Sequence, residues 1–176
     1  MPKCRCGKVE LELSRDPFLT AACCCNSCRD SAERFRRMPY GYDVRDDIGA
    51  TPYALYRKDR VKILSGAEYL REMRLKPDSK TRRVVASCCN SPMFLEFKGG
   101  HWLSVYGNLW PDDAPIEPQV RTMTGDWPDQ DALSKDIPNY SGLSPKFMWK
   151  LFSAWAAMGF RAPKIDVGQQ TLEEPS

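Results

Sequence analysis

Hydrophobic and polar residues alternate in several short stretches of the chain. Val9-Glu10-Leu11-Glu12-Leu13 places every second side chain on one apolar face, the period of a strand with one side buried. Leu19 to Cys25 reads as a second extended run. Arg60-Val61-Lys62-Ile63-Leu64 alternates again and is closed by Ser65-Gly66, with Tyr69 to Leu75 as its expected partner. Beyond the turn at Pro77-Asp78-Ser79, Arg82 to Ala86 and Met93 to Phe97 are expected as strands flanking a corner at Cys88-Cys89. Trp102 to Tyr106 alternates once more.

Two stretches carry helical signals. Arg29 to Arg37 is strongly charged and fits a short helix, broken by Pro39-Tyr40-Gly41-Tyr42. Ser144-Pro145 forms an N-cap and N1 pair. Phe147, Met148, Leu151, Phe152, Trp155 and Met158 then recur at helical spacing, and Gly159 closes the run. This aromatic stripe reads as core packing or a partner interface rather than a cofactor box. Phe94, Phe97, Trp102 and Tyr106 likewise read as core. Residues 43–60 show no clear period, and Pro111 to Tyr140, rich in Pro and Asp, reads as irregular loop. The expectation is a mainly β domain over residues 1–162 with a C-terminal amphipathic helix, followed by a flexible tail at 163–176.

A length of 176 residues suits one domain, and 42% hydrophobic content suffices for a core without disulfide staples. With 26 basic and 23 acidic residues the net charge is only +3, which makes no case for nucleic acid as a partner. No apolar run approaches the roughly 18 residues of a membrane span, and no secretory h-region follows Met1. A cytoplasmic location with reduced thiols is expected.

Cysteine changes this picture most. There are 8 cysteines and 1 histidine, and the cysteines fall in tight groups: Cys4 and Cys6; Cys23, Cys24, Cys25 and Cys28; Cys88 and Cys89. Thiols grouped this closely in a reducing compartment point to metal ligation, with zinc the expected ion, one or two per chain. On an extended strand Cys4 and Cys6 share a face, about 6 to 7 Å apart at Cα, close enough to share one ion. By the same alternation Cys23 and Cys25 share a face while Cys24 points away, and Cys25 to Cys28 is a C-x-x-C knuckle. Cys23, Cys25 and Cys28 are thus a candidate three-thiolate centre with an open fourth position; the alternative is that Cys24 or a distant cysteine closes it. Cys88 and Cys89 can serve one ion only if the chain turns at Asn90 and Pro92, and they pair with Cys4 and Cys6 as a closed structural site. His101, the single histidine, reads as a packed or surface residue before a general base or a ligand.

Three motifs in this order resemble the glutathione-dependent formaldehyde-activating enzyme (GFA) family, which includes the centromere-protein-V-like (CENP-V) proteins. Cys4-Arg5-Cys6-Gly7-Lys8-Val9 fits its opening C-x-C-G-x-V pattern. Cys23-Cys24-Cys25-Asn26-Ser27-Cys28-Arg29 fits C-H-C-x-x-C followed by a basic residue, with Cys24 in place of histidine. Leu64-Ser65-Gly66 matches a Ser-Gly strand, and the stretch from Arg83 to Met93 lines up with the last motif, R-x-F-C-x-x-C-G-S-P-L. The resemblance covers residues 1 to about 106. It implies a β-tent, several small antiparallel sheets around zinc. It also implies a structural zinc at Cys4, Cys6 and Cys89 and a catalytic zinc at Cys23, Cys25 and Cys28. Ala86 stands at a ligand position of the structural site, where Cys88 is expected to substitute, and Asn90 replaces a glycine.

The implied function is carbon–sulfur lyase-like chemistry on glutathione or another small thiol adduct, of the S-hydroxymethylglutathione synthase type. Glutathione is anionic, so Arg29, Arg36 and Arg37 are candidates for its groove; a solvated helix face explains them equally well. The rival is a non-catalytic zinc module that docks a partner, or a second copy of itself, through the helix from Pro145 to Met158. A third reading is a thiol-redox or metal-buffering role for the Cys23–Cys25 run.

Overall fold

The computed structural model describes residues 1–111, 113–167 and 171–172. Their order is β1 (Glu10–Leu13), β2 (Leu19–Cys23), α1 (Asn26–Arg37), β3 (Thr51–Arg57), β4 (Val61–Ser65), β5 (Leu70–Met73), β6 (Thr81–Ala86), β7 (Ser91–Phe97), β8 (Trp102–Tyr106), β9 (Val120–Thr122) and α2 (Pro145–Ala156). The protein is mainly β, with one helix early and one near the C-terminus. No helix of the described residues is long and apolar enough to cross a membrane.

Seven strands form one sheet in the order β5-β6-β7-β8-β3-β2-β9, and β1 pairs with β4 in a separate two-stranded ribbon. Every pairing is antiparallel except β2 with β9, which runs parallel. Alternation along the strands divides the core in two. Ala54, Tyr56, Val84, Ala86, Leu103 and Val105 pack on one face with Val9, Leu11 and Val61 of the ribbon. Tyr53, Leu55, Val85 and Tyr106 pack on the other with Phe35 of α1 and Phe147 and Leu151 of α2. The result is three layers: ribbon, sheet, helices. One irregularity shapes the middle. The register of β6 with β7 shifts between Val84 and Val85, which face Phe94 and Pro92. The extra residue, Met93, bulges out of register, and Pro92, which has no N–H to give a ladder, sits beside the break.

Several expectations need correction. Residues 43–60 contain β3, which lies between β8 and β2 in the sheet. It carries apolar side chains on both faces, so it shows no period of two. The loop from Pro111 to Tyr140 contributes β9, held by β2 on one side. The Arg60–Leu64 strand pairs with β1 rather than with the Tyr69–Leu75 segment, which pairs with β6. The 163–176 stretch packs where it is described. Val167 is buried, Ile165 joins the ribbon-side core, and Arg82 donates to the Ile165 carbonyl at 3.2 Å. The Leu172 N–H donates to the Glu72 carbonyl at 2.8 Å, using the open edge of β5. The rest of that stretch, 168–170 and 173–176, lies outside the described residues.

Candidate metal centres

The sulfurs of Cys4, Cys6, Cys88 and Cys89 all lie within 4.8 Å of one another. Cys4 and Cys6 precede β1 on a turn that Gly7 completes at φ 76, its N–H donating to the Cys4 carbonyl at 2.8 Å. Cys88 and Cys89 occupy the turn between β6 and β7, where Asn90 takes φ 53, a left-handed conformation that asparagine tolerates. Four sulfur separations are 3.6 Å (Cys4–Cys6), 3.8 Å (Cys4–Cys88), 3.4 Å (Cys6–Cys88) and 3.9 Å (Cys88–Cys89). A tetrahedron with metal–sulfur bonds of about 2.3 Å has edges of about 3.8 Å. The four thiols therefore fit one tetrahedral ion and leave it no free corner.

Neighbouring groups hold these sulfurs in place. The Val9 N–H donates to Cys4 Sγ at 3.2 Å, Ser91 Oγ lies 3.1 Å from Cys89 Sγ, and the Arg5 N–H donates to Ser91 Oγ at 3.0 Å. Burial opposes ionisation of Cys89, but hydrogen bonds from Ser91 and Cys6 outweigh it and bring its thiol down to about 7. Burial pushes Cys4 and Cys88 up. Ala86 is fully buried in the ribbon-side core and offers no ligand atom. Cys88 stands at the fourth corner instead.

The second group, Cys23, Cys25 and Cys28, also brings its sulfurs within 4.8 Å. Cys23 ends β2; Cys25 caps α1, its Sγ accepting from the Cys28 N–H at 3.3 Å; Cys28 sits in the first turn. Cys23 and Cys25 sulfurs are 3.4 Å apart, and Cys28 Sγ is 3.5 Å from the Tyr53 hydroxyl. Cys24 faces away, fully buried with Ala22, Ala50 and Trp127, and burial holds its thiol up at about 11. Among the described residues no fourth cysteine joins the group. All three sulfurs instead line a cleft of about 520 Å³, walled by Leu55, Leu95, Phe97, Trp102, Leu143 and Phe147.

The electrostatics of this group are uneven. Hydrogen bonds from the Cys23 and Cys28 thiols, with the Cys28 N–H and Arg83, pull Cys25 down to about 3. Cys23 is pushed well up, first by its hydrogen bond to Cys25. The unmetallated group is thus one thiolate shared by two thiols. Behind it lies Arg83, fully buried on β6. Its Nη2 donates to the Ser27 carbonyl at 3.0 Å and to Ser27 Oγ at 2.8 Å, while Nε and Nη1 have no hydrogen-bond partner. A buried guanidinium with no carboxylate beside it among the described residues needs a nearby anion; burial aside, its field falls on Tyr106, Tyr53, Cys28 and Cys25. Three thiolates around a divalent cation carry a net charge of −1, which Arg83 balances. The donor set and this counter-charge both fit a divalent ion.

Other sequence candidates lie elsewhere. Arg29 donates to Asn26 Oδ1 and to the Asp126 carbonyl, and stacks over Trp127. Arg36 and Arg37 pair with Glu33 on the exposed end of α1. None of the three lines the cleft. His101 is buried, its Nε2 2.9 Å from the Leu151 carbonyl and its ring stacked on Trp155; burial holds its imidazole below the ordinary value. Phe94 and Tyr106 are core, but Phe97 and Trp102, read as core, line the cleft. The sequence reading assigned no role to Arg83 or Tyr53. Neither carries a local signal: Arg83 ends the basic stretch Lys80-Thr81-Arg82-Arg83, and Tyr53 lies in a segment with no clear period.

Comparison with known proteins places the chain. The profile of a family of unknown function (DUF6151) matches residues 1–108, and the chain belongs to that family. No curated protein matches it. The crystal structure of a Rhodobacter sphaeroides protein, a Northeast Structural Genomics target, is similar at 15% identity and a TM-score of 0.47 over 79% of this chain and 97% of that one.

Proposed function

We propose that this member of the DUF6151 family holds zinc in both cysteine groups, and that the three-cysteine centre carries out carbon–sulfur lyase-like chemistry on a small thiol adduct. The observation that carries this reading is the contrast in closure: four sulfurs complete one tetrahedron, while three sulfurs end at an open cleft. All-sulfur donor sets favour zinc among common divalent ions in a reducing compartment. The motif resemblance to the GFA and CENP-V proteins supports the same reaction class, and the β-tent description and the cytoplasmic location are proposed with it.

Zinc, when bound, would favour the thiolate form of an incoming thiol. The chain's own residues set the stage. Cys23, Cys25 and Cys28 would hold the ion from one short segment. Arg83 offsets their charge from behind, and Tyr53 steadies Cys28. The cleft walls present mostly apolar side chains around the approach to the sulfurs. In the forward direction a thiol S–H adds across an aldehyde C=O: the carbon–sulfur bond forms and the proton ends on the former carbonyl oxygen. The lyase direction reverses this, with nothing oxidised or reduced.

Cobalt substitution followed by thiol titration tests the reading. A thiol that reaches the open position changes the visible absorption of the cobalt protein, and Cys25→Ser abolishes that change. Failure of glutathione and of simple alkyl thiols alike to perturb the spectrum would remove the basis for the enzyme. One observation favours a second reading, a partner-docking zinc module: Met148, Trp149, Phe152 and Phe160 are exposed on and just beyond α2.

A further inference from the structure

We propose that the cleft at the three-cysteine centre takes an uncharged thiol bearing an aromatic or aliphatic group, or its aldehyde adduct, in preference to an ionic thiol such as glutathione. This rests on the thiol reading above and specifies its substrate class. The walls supply the first argument. Leu55, Leu95, Phe147 and Leu143 surround the cleft, and Phe97 and Trp102 add two rings with centroids 5.4 Å apart. Half-exposed Leu143 and Phe97 form its lip. Apolar walls of this extent favour burial of apolar substrate surface.

Charge supplies the second. No lysine or arginine lines the cleft among the described residues, and Asp126 is the one carboxylate on it. Asp126 Oδ2 accepts from the Asn26 N–H at 3.1 Å, at the start of α1. Arg29 is held on Asn26 and the Asp126 carbonyl, and Arg83 is fully buried and bonds Ser27, so neither reaches into the cleft. Lys80 and Lys98 line a separate open cleft with Arg74 and Arg82. Glutathione carries two carboxylates and one ammonium. Bound here, its carboxylates would lose water and meet a thiolate centre and Asp126 with no cation in exchange. An uncharged thiol loses only apolar hydration and brings the same sulfur. The reaction balances as above: the S–H bond breaks, the carbon–sulfur bond forms, and the aldehyde oxygen takes the proton.

The test is ligand binding to zinc-loaded, reduced, full-length protein, read by intrinsic tryptophan fluorescence because Trp102 lines the cleft. Three probes are compared: benzyl mercaptan, glutathione, and benzyl alcohol as a sulfur-free isostere. The expected result is benzyl mercaptan binding at least tenfold tighter than either of the others. Glutathione binding as tightly as benzyl mercaptan overturns the apolar class and leaves the thiol chemistry standing. Benzyl alcohol matching benzyl mercaptan upholds an apolar cleft and overturns the thiol reading. Binding of none of the three overturns both. Leu143→Arg places a cation at the exposed lip without touching the core, and is expected to narrow the preference over glutathione by about tenfold; an unchanged ratio overturns the charge argument.

Discussion

The two cysteine groups use the same side chain and sit on opposite faces of one sheet, yet they differ in how the chain delivers the sulfurs. The four-cysteine group gathers Cys4 and Cys6 from the N-terminus and Cys88 and Cys89 from the β6–β7 turn, and two of its members are buried in the ribbon-side core. An ion there ties together segments far apart in sequence, so its binding energy becomes folding energy. The three-cysteine group comes from residues 23–28 alone, at the junction of β2 and α1. An ion there closes a short loop and constrains little that the fold does not already hold. Thiolate count and loop span, rather than ligand type, separate a structural centre from one with a position to offer.

The largest expected contrast is in stability. Cys4→Ser should cost on the order of 4 kcal/mol or more, through loss of a structural ion. Cys28→Ser should cost about 1 to 2 kcal/mol. Urea denaturation of the zinc-loaded proteins measures both, and equal losses would break the comparison. Next is pH. At the three-cysteine group Cys25, at about 3, is already ionised at neutrality, whereas Cys28, at about 12, and Cys23, also raised, must each release a proton to bind an ion. Protons therefore compete with the metal, and affinity falls with falling pH. Between pH 7 and pH 6 the drop at this site is expected to approach about 100-fold, two protons per ion, in competition with a zinc indicator.

A smaller effect isolates the buried cation. Arg83→Met is expected to weaken zinc at the three-cysteine group by about tenfold and to leave the four-cysteine group unchanged, while Arg83→Lys retains most of the affinity. Indicator competition on both variants reads it, and equal weakening at both groups would mean a general loss of structure. The smallest effect is on α2. Trp149 is 67% exposed, so Trp149→Ala should shift stability by no more than about 0.5 kcal/mol in the same urea experiment. Under the docking reading it would instead abolish partner binding.

Much of this was legible in the chain because spacing carries geometry directly. Cys4-x-Cys6 and Cys25-x-x-Cys28 each fall within reach of one ion by local backbone geometry, and Ser144-Pro145 marks the start of α2. Other features depend on contacts no local pattern encodes. β3, apolar on both faces, has no alternation to read, and β9 is three residues held by a parallel neighbour about 100 positions away. That Cys88 supplies the corner for which Ala86 has no atom follows from the turn conformation at Asn90. The cleft is assembled from residues of β2, α1, β3, β6, β7, β8, β9 and α2 and from the segment before α2, and Phe97 and Trp102 look like core until those segments meet.

The central claim, one closed and one open zinc centre, is tested most directly by zinc per chain on freshly reduced protein, measured for the natural sequence and for Cys25→Ser. About two ions are expected for the natural sequence and about one for Cys25→Ser. Equal stoichiometry in the two proteins would contradict it, because the three-cysteine group would then hold no ion of its own.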